Sequence, residues 1–381
     1  MRRLDRRQLH AALLEARRTT LALLDDLEPA QWTVPQLPII NPPRWELGHV
    51  GWFMERWCLR LDAEGHASGP ALLADADRWY DSGRVPHATR WSLDLPSLGA
   101  TRAYLEAVLE RTLARLASAD DSDAGLYYFR LALYHEDMHG EAFTYTRQTL
   151  GYAAPATLHP AAAIGDGGDV AVAGGCCMQG APRGAGFVFD NEKWQHEVDL
   201  APYAIARAPV SNAQFARFVE AGGYREPRWW TPAGWDWRLA QELAAPLGWR
   251  CDGSGWQQRV FDRWLPLDPA LPVRHVSAHE AEAWCRWAGR RLPSEAEWEQ
   301  AALQGAIAPA GVWEWTATPF LPYPGFTPDP YEDYSRPWFE SHRCVRGASI
   351  ATPRRLWHPR FRNFYLPERN DIFVGFRTCA L

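Results

Sequence analysis

Along the first 150 residues the apolar positions recur at intervals of three and four. Leu9, Leu13, Leu14, Leu21 and Leu24 fall on one face of a helix over 6–27, and the same spacing runs through 44–61, 98–118 and 124–150. Four long helices in that length predict a bundle. Between the second and third, Tyr80-Asp81-Ser82-Gly83-Arg84-Val85-Pro86-His87-Ala88-Thr89-Arg90 carries Gly and Pro and no helical period. That stretch predicts a long irregular crossover, a kind of loop that often carries function.

Past residue 152 the texture changes. Ala153-Ala154-Pro155-Ala156-Thr157-Leu158-His159-Pro160 is small and Pro-containing, which predicts a linker over 153–165 between a domain at 1–152 and a second at 166–381. The later part alternates short β-like runs, Gly pairs, Pro turns and dispersed Trp, with helical spacing at 211–221 and 277–288. It reads as an irregular α+β domain, and the whole chain as a two-domain α+β protein. With 381 residues and 47 % apolar content, each half has material for its own core.

Charge narrows the partners. A formal net charge of -6 gives no electrostatic reason for nucleic acid or an anionic membrane, so small molecules are expected. The start, Met1-Arg2-Arg3-Leu4-Asp5-Arg6-Arg7, is basic, but Glu15, Arg17 and Arg18 break the apolar stretch after it, so no signal-peptide core is expected. No run reaches the length of a membrane span. The seven cysteines (58, 176, 177, 251, 285, 344, 379) are odd in number and lack zinc-finger spacing, which fits a reducing cytoplasm. Most of the 21 tryptophans are expected in the cores, and some could offer ring faces to a quaternary ammonium.

The candidate chemistry is carried by histidines. His135 and His139, four apart, lie on one helical face and can offer two imidazoles to one ion. His49 sits in Pro42-Pro43-Arg44-Trp45-Glu46-Leu47-Gly48-His49, where Pro starts a helix and Gly48 lets a neighbouring helix come close. A third imidazole from there would leave open positions on a first-row metal, which is the arrangement of a catalytic site. Two alternatives stand beside it. His135-Glu136-Asp137-Met138-His139 also satisfies H-E-x-x-H, where the glutamate of a zinc peptidase activates water, and all three residues could be ordinary core histidines.

Ordered blocks along the chain carry a resemblance. They are Trp45-x-x-Gly48-His49-x-x-Trp52-Phe53-x-Glu55, His135-Glu136-x-Met138-His139-x-Glu141, Phe189-Asp190-Asn191-Glu192, Pro209-Val210-Ser211-Asn212, Gly222-Gly223-Tyr224, Arg291 through Glu299, Val312-Trp313-Glu314-Trp315-Thr316 and Gly375-Phe376-Arg377. With them almost the whole chain resembles the non-haem iron sulfoxide synthases of ergothioneine biosynthesis and the related selenoneine synthases. The resemblance implies a DinB-like four-helix bundle followed by a formylglycine-generating-enzyme-like domain of C-type-lectin-like fold. It implies Fe(II) on His49, His135 and His139, O2 as co-substrate and hercynine, the trimethylated betaine of histidine, as acceptor. Glu141 is then a candidate to orient a ligand imidazole, while Met138, Asn363, Phe364 and Tyr365 fall on the substrate side. Phe364 and Tyr365 stand where ergothioneine enzymes often carry a Trp-Asp pair. The cysteine pair of formylglycine-generating enzymes has no counterpart after Arg346-Gly347-Ala348-Ser349, so the second domain is expected to wall the substrate site.

The same resemblance frames the donor. Ergothioneine enzymes that take γ-glutamylcysteine clamp its carboxylates with crossover-loop arginines; here that loop holds Arg84, His87 and Arg90. The altered donor side favours a seleno-sugar and C–Se coupling, with a sulfur donor, γ-glutamylcysteine or cysteine, as the alternative. A tyrosine that delivers a proton and an electron is expected in Thr327-Pro328-Asp329-Pro330-Tyr331-Glu332-Asp333-Tyr334, first at Tyr331 and second at Tyr334. A zinc hydrolase and a non-catalytic lectin-like binding module remain the rival classes.

Overall fold

Asp5 opens the first helix, α1 (Arg6–Ala22), with a capping box: its carboxylate accepts the Gln8 N–H, and the Gln8 side chain accepts that of Asp5. There follow α2 (Pro43–Cys58), a one-turn α3 (Ala76–Tyr80) in the crossover, α4 (Leu98–Ala117) and α5 (Tyr127–Leu150). The computed structural model describes residues 2–61, 68–165, 167–253 and 255–381. The chain divides into two compact units, the first comprising Met1–Leu150, Pro155–Thr157 and Gly184–Phe187, the second the remainder.

In the first unit α1 and α2 each pack against both α4 and α5, which makes the expected four-helix bundle. Leu9, Leu13 and Ala16 of α1 meet a core that also holds Leu47, Val50, Leu105, Val108 and Leu131. All of α2 except Arg44 and Arg56 is buried, with Glu46, His49 and Glu55 among the buried residues. The helix expected over 6–27 ends at Ala22, and the turn beyond it is drawn out by two ion pairs, Asp25 with Arg102 at 2.7 Å and Asp26 with Arg147 at 2.6 Å. Gly184–Phe187 returns to this unit from later in the sequence: the Phe187 ring lies 5.3 Å from Tyr127 and 5.1 Å from Tyr134, and its N–H donates to the Arg2 carbonyl.

The strands of the second unit are numbered in chain order. One sheet runs β1 (Asp169–Val172), β4 (Tyr203–Ala206), β13 (Cys379–Ala380), β8 (Arg290–Arg291); another runs β11 (Asn363–Tyr365), β10 (Arg343–Ala348), β9 (Val312–Pro319), β12 (Val374–Gly375). A two-stranded ribbon, β2 (Gly175–Gln179) with β3 (His196–Leu200), and a three-stranded sheet, β5 (Trp249–Cys251), β6 (Trp256–Val260), β7 (Arg263–Pro266), complete the described strands. Helices α6 (Asn212–Glu220), α7 (Pro232–Ala240), α8 (Ala278–Ala288) and α9 (Glu295–Leu303) join them, of which the apolar spacing had marked α6 and α8. Ser211, Ser277 and Ser294 each close a capping box with the residue three on.

The core explains the sequence blocks of this unit. Trp298, Trp313 and Trp315 are fully buried, with Trp298 Nε1 donating to Glu314 at 2.7 Å and Trp315 Nε1 to the Val276 carbonyl at 2.8 Å. Three buried arginines meet three buried carboxylates: Arg346 with Glu299, Arg362 with Glu295 and Arg377 with Glu314. Each charge is paired, as burial demands.

Candidate metal centre

His49 lies on α2 and His135 and His139 lie one turn apart on α5. Their inward nitrogens converge: His135 Nε2 is 3.2 Å from His49 Nε2 and 3.2 Å from His139 Nε2. Each ring can place one nitrogen so that all three stand within 4.8 Å of one another.

The outward nitrogens explain why the inner ones carry lone pairs. His49 Nδ1 is 2.8 Å from the Tyr80 carbonyl, and His139 Nδ1 is 2.6 Å from Glu46 Oε1. A carbonyl and a carboxylate accept, so both imidazoles donate from Nδ1, and in the neutral ring that tautomer leaves the Nε2 lone pair facing the centre. His135 Nε2 holds at most one hydrogen, so at most one of its two 3.2 Å contacts is a hydrogen bond. Nitrogens about 2.1 Å from one ion, at tetrahedral or octahedral angles, stand about 3.0–3.4 Å apart. The cluster therefore fits a metal ion better than it fits itself.

Packing holds the ring planes. Phe53 stacks on His135 with centroids 3.5 Å apart and planes 4° from parallel, and Trp45 stacks on His49 at 4.9 Å and 10°. Burial pushes the His49 and His135 imidazoles well below their usual range, and the neighbouring histidines add to it. Both are neutral and able to ligate at neutral pH. The His139 side chain, 17 % exposed, is the open side of the cluster.

Gly48 shapes this site differently from expectation. A Cβ there would lie 2.2–2.5 Å from the Tyr80 ring, so Gly48 seats a tyrosine side chain, the one whose backbone carbonyl holds His49. The close helix approach occurs one turn on, at Gly51, where a Cβ would meet Leu105 and Tyr104 of α4 at 3.0–3.2 Å.

Glu46 is a carboxylate that reaches a ligand histidine. Glu141 is buried on α5 two residues past His139, about 200° round the helix from it. Sequence reasoning missed Glu46, although its spacing three residues before His49 put it on that ligand's face. It also missed the Tyr80 carbonyl, since a backbone acceptor leaves no trace in residue type.

Glu136 settles the fate of the H-E-x-x-H pattern. Its carboxylate takes a two-point ion pair from Arg17 at 2.8 and 3.2 Å, while Arg17 Nη1 donates to the Leu105 carbonyl at 2.6 Å. One residue past His135, it turns about 100° away from the ligand face and into the bundle core. It does not stand over the cluster as a water-activating base would.

The other candidates are placed as follows. The Arg84 side chain is 82 % exposed with Nε 3.3 Å from Asp81. Arg90 lies 3.8 Å from the Trp45 ring centre and donates to Asn41 Oδ1 at 2.7 Å and to the Val85 carbonyl at 3.3 Å. His87 Nε2 is 2.7 Å from the Ile40 carbonyl, and Met138 is half-buried between the two α5 histidines. In the second unit Asn363 bridges its own neighbours, Nδ2 to the Tyr365 hydroxyl at 3.2 Å and Oδ1 from the Phe364 N–H at 2.8 Å. Phe364 stacks on Phe320 at 4.0 Å and stands 6.1 Å from Tyr334, which stacks on Phe189 at 4.5 Å with Tyr331 6.2 Å away. Phe364, Tyr334 and Tyr331 thus share one aromatic cluster.

Fold and site define a two-domain α+β protein whose helical half bears a three-histidine cluster. The DinB superfamily profile matches residues 12–143, and the sulfatase-modifying factor enzyme 1-like domain matches 156–309. A hercynine oxygenase of Mycolicibacterium smegmatis is 34 % identical over 98 % of this chain and 99 % of its own. The hercynine oxygenase of Mycobacterium tuberculosis is 34 % identical over 98 % of each. A formylglycine-generating enzyme of Streptomyces coelicolor is 35 % identical over 40 % of this chain and 52 % of its own. The chain belongs to the hercynine oxygenase family. Among the described residues no helix is long and apolar enough to cross a membrane.

Proposed function

We propose that this protein is an Fe(II)- and O2-dependent oxidoreductase that joins a chalcogen to C2 of the hercynine imidazole. The observation that carries the reading is the convergence of three Nε2 atoms, two of them on rings whose outer Nδ1 faces an acceptor. Three neutral imidazoles suit a borderline ion and leave positions for substrate and oxygen, and iron bound there would supply one-electron chemistry with dioxygen. Full-length relatives named hercynine oxygenases support the acceptor.

The protein's own residues have separable tasks. Glu46 and the Tyr80 carbonyl fix ligand tautomers, while Phe53 and Trp45 fix ring planes. Asn363, Phe364 and Tyr365 are assigned to hercynine, for which the cluster around Phe364 offers ring faces of the type that attract a trimethylammonium. Tyr331 is assigned the proton-delivering role ahead of Tyr334, whose ring is engaged by Phe189. Free thiols at Cys58, Cys285, Cys344 and Cys379, all buried, suit a cytoplasmic setting.

For the donor, a seleno-sugar is favoured. Arg90 is committed to Trp45, Asn41 and Val85, and Arg84 lies exposed beside Asp81, so the loop offers no preset pair of forks for a dicarboxylate. The second reading is C–S coupling with γ-glutamylcysteine or cysteine; the relatives named hercynine oxygenases support the same acceptor under either donor. One experiment tests both: Fe(II)-loaded protein with hercynine is offered a seleno-sugar, γ-glutamylcysteine and cysteine in parallel, with and without air. The product mass identifies the donor. Coupling in the absence of oxygen, or no coupling with any donor in air, overturns the proposal.

A further inference from the structure

Three buried arginines of the second unit each meet a carboxylate, but a fourth does not. Arg274 is 8 % exposed, and no hydrogen bond or ion pair joins its guanidinium to a described residue; its one contact of note is the Phe373 ring, 6.0 Å away. A largely buried cation with no counter-charge beside it is costly to hold. Burial alone pushes it down to about 10.

The neighbouring histidine feels a second cation as well. His275, 2 % exposed, stands 5.4 Å from the Phe373 ring, and the charges of both Arg274 and Arg259 bear on it. One nitrogen of its ring meets backbone at Asn370 and Asp371, while Nε2 is buried with no partner. Arg259 Nη1 donates to the Phe261 carbonyl at 3.2 Å, and the Phe261 ring lies 6.3 Å from Phe373. The carboxylate of Asp371 is taken by Arg369, at 2.5 and 2.7 Å, and is not spent on this group. His275 and Phe261 also hold φ values of 62° and 56°, a left-handed conformation that costs a non-glycine residue and tends to gather at functional positions.

We propose that Arg274 anchors an oxyanion site in the second unit, taking a carboxylate or phosphate group of a small ligand, with Phe373 forming one wall. A guanidinium fork matches the paired oxygens of either group. This goes beyond the hercynine reading, which uses none of these residues.

The test titrates the full-length protein with inorganic phosphate and, separately, acetate, against chloride at equal ionic strength, by calorimetry and by thermal melting. One of the two anions is expected to bind with unit stoichiometry and raise the melting temperature, and whichever does so names the ligand group. Arg274→Met is expected to weaken that binding at least about tenfold, the loss due when charged hydrogen bonds are removed. In chloride it is expected to melt no lower than the wild type, because an unpaired buried charge has gone. Arg274→Lys, which keeps the charge but not the fork, should fall between them and carries the test if the Met variant does not fold. The site is overturned if neither anion moves the wild type relative to chloride, or if the substituted protein binds as tightly as the wild type.

Discussion

Glu46 Oε1 and His139 Nδ1 stand 2.6 Å apart, joining α2 to the exposed end of the histidine cluster on α5. The contact orients the most accessible ring of the three and fixes which nitrogen faces inward. Glu46→Ala should therefore weaken metal binding by about 10–100-fold, read as the dissociation constant for Fe(II) under nitrogen or for Co(II) by absorbance. Glu46→Gln, which can still accept from Nδ1, should lose less. Equal affinity in the Ala variant and the wild type would remove Glu46 from the centre.

Gly48 is argued from space. A methyl group there would lie 2.2–2.5 Å from the Tyr80 ring, closer than atoms tolerate, so Gly48→Ala must push Tyr80 away and with it the carbonyl that holds His49. A loss of about 1–3 kcal/mol in urea unfolding is expected, together with weaker metal binding. Gly51→Ala, whose nearest contacts are side-chain atoms at 3.0–3.2 Å, should cost less and leave the metal constant near wild type. The order of the two variants is the check.

Glu136 separates the oxidoreductase reading from the zinc-hydrolase one. Paired with Arg17 at 2.8 Å in the bundle core, both side chains 5 % exposed or less, it is a structural partner whose removal strands a buried cation. Glu136→Ala should then lower stability by about 3–5 kcal/mol. Arg17→Met with Glu136→Leu should recover most of the loss, since an apolar pair of similar volume replaces a buried ion pair well. A Glu136→Ala protein as stable as the wild type would contradict the pairing.

How far the sequence revealed this molecule depends on what each feature leaves in residue type. Helical spacing marked all four bundle helices, and in the second unit it marked α6 and α8, whereas α9 was not marked. The histidines at 135 and 139 were legible from their i, i+4 spacing. The chain's return at Gly184–Phe187 was not, since four residues carry no period, and neither were the short strands paired across long sequence gaps, such as β13 between β4 and β8. In the site, Tyr80 acts through a backbone oxygen and Glu46 through a partner 93 residues away. Glu141 drew attention because it follows the histidine motif in sequence, although helical rotation carries it to another face.

The last prediction concerns acidity in the second unit. Glu280 is fully buried at the start of α8, where it accepts the Ser277 N–H at 2.7 Å and the Tyr224 hydroxyl, and burial raises its carboxyl from 4.5 to about 7 despite those hydrogen bonds. The folded state therefore holds this proton more tightly than the unfolded chain does. The stability it confers is complete below pH 4.5, falls as pH rises through that window, and is gone above about 7. The span corresponds to about 3 kcal/mol. Glu280→Gln, which cannot ionise, should flatten this part of the profile and be the more stable protein relative to the wild type at pH 8 than at pH 5. Urea unfolding at the two values measures it, and a difference between the proteins that does not change with pH would show that Glu280 does not titrate in this window.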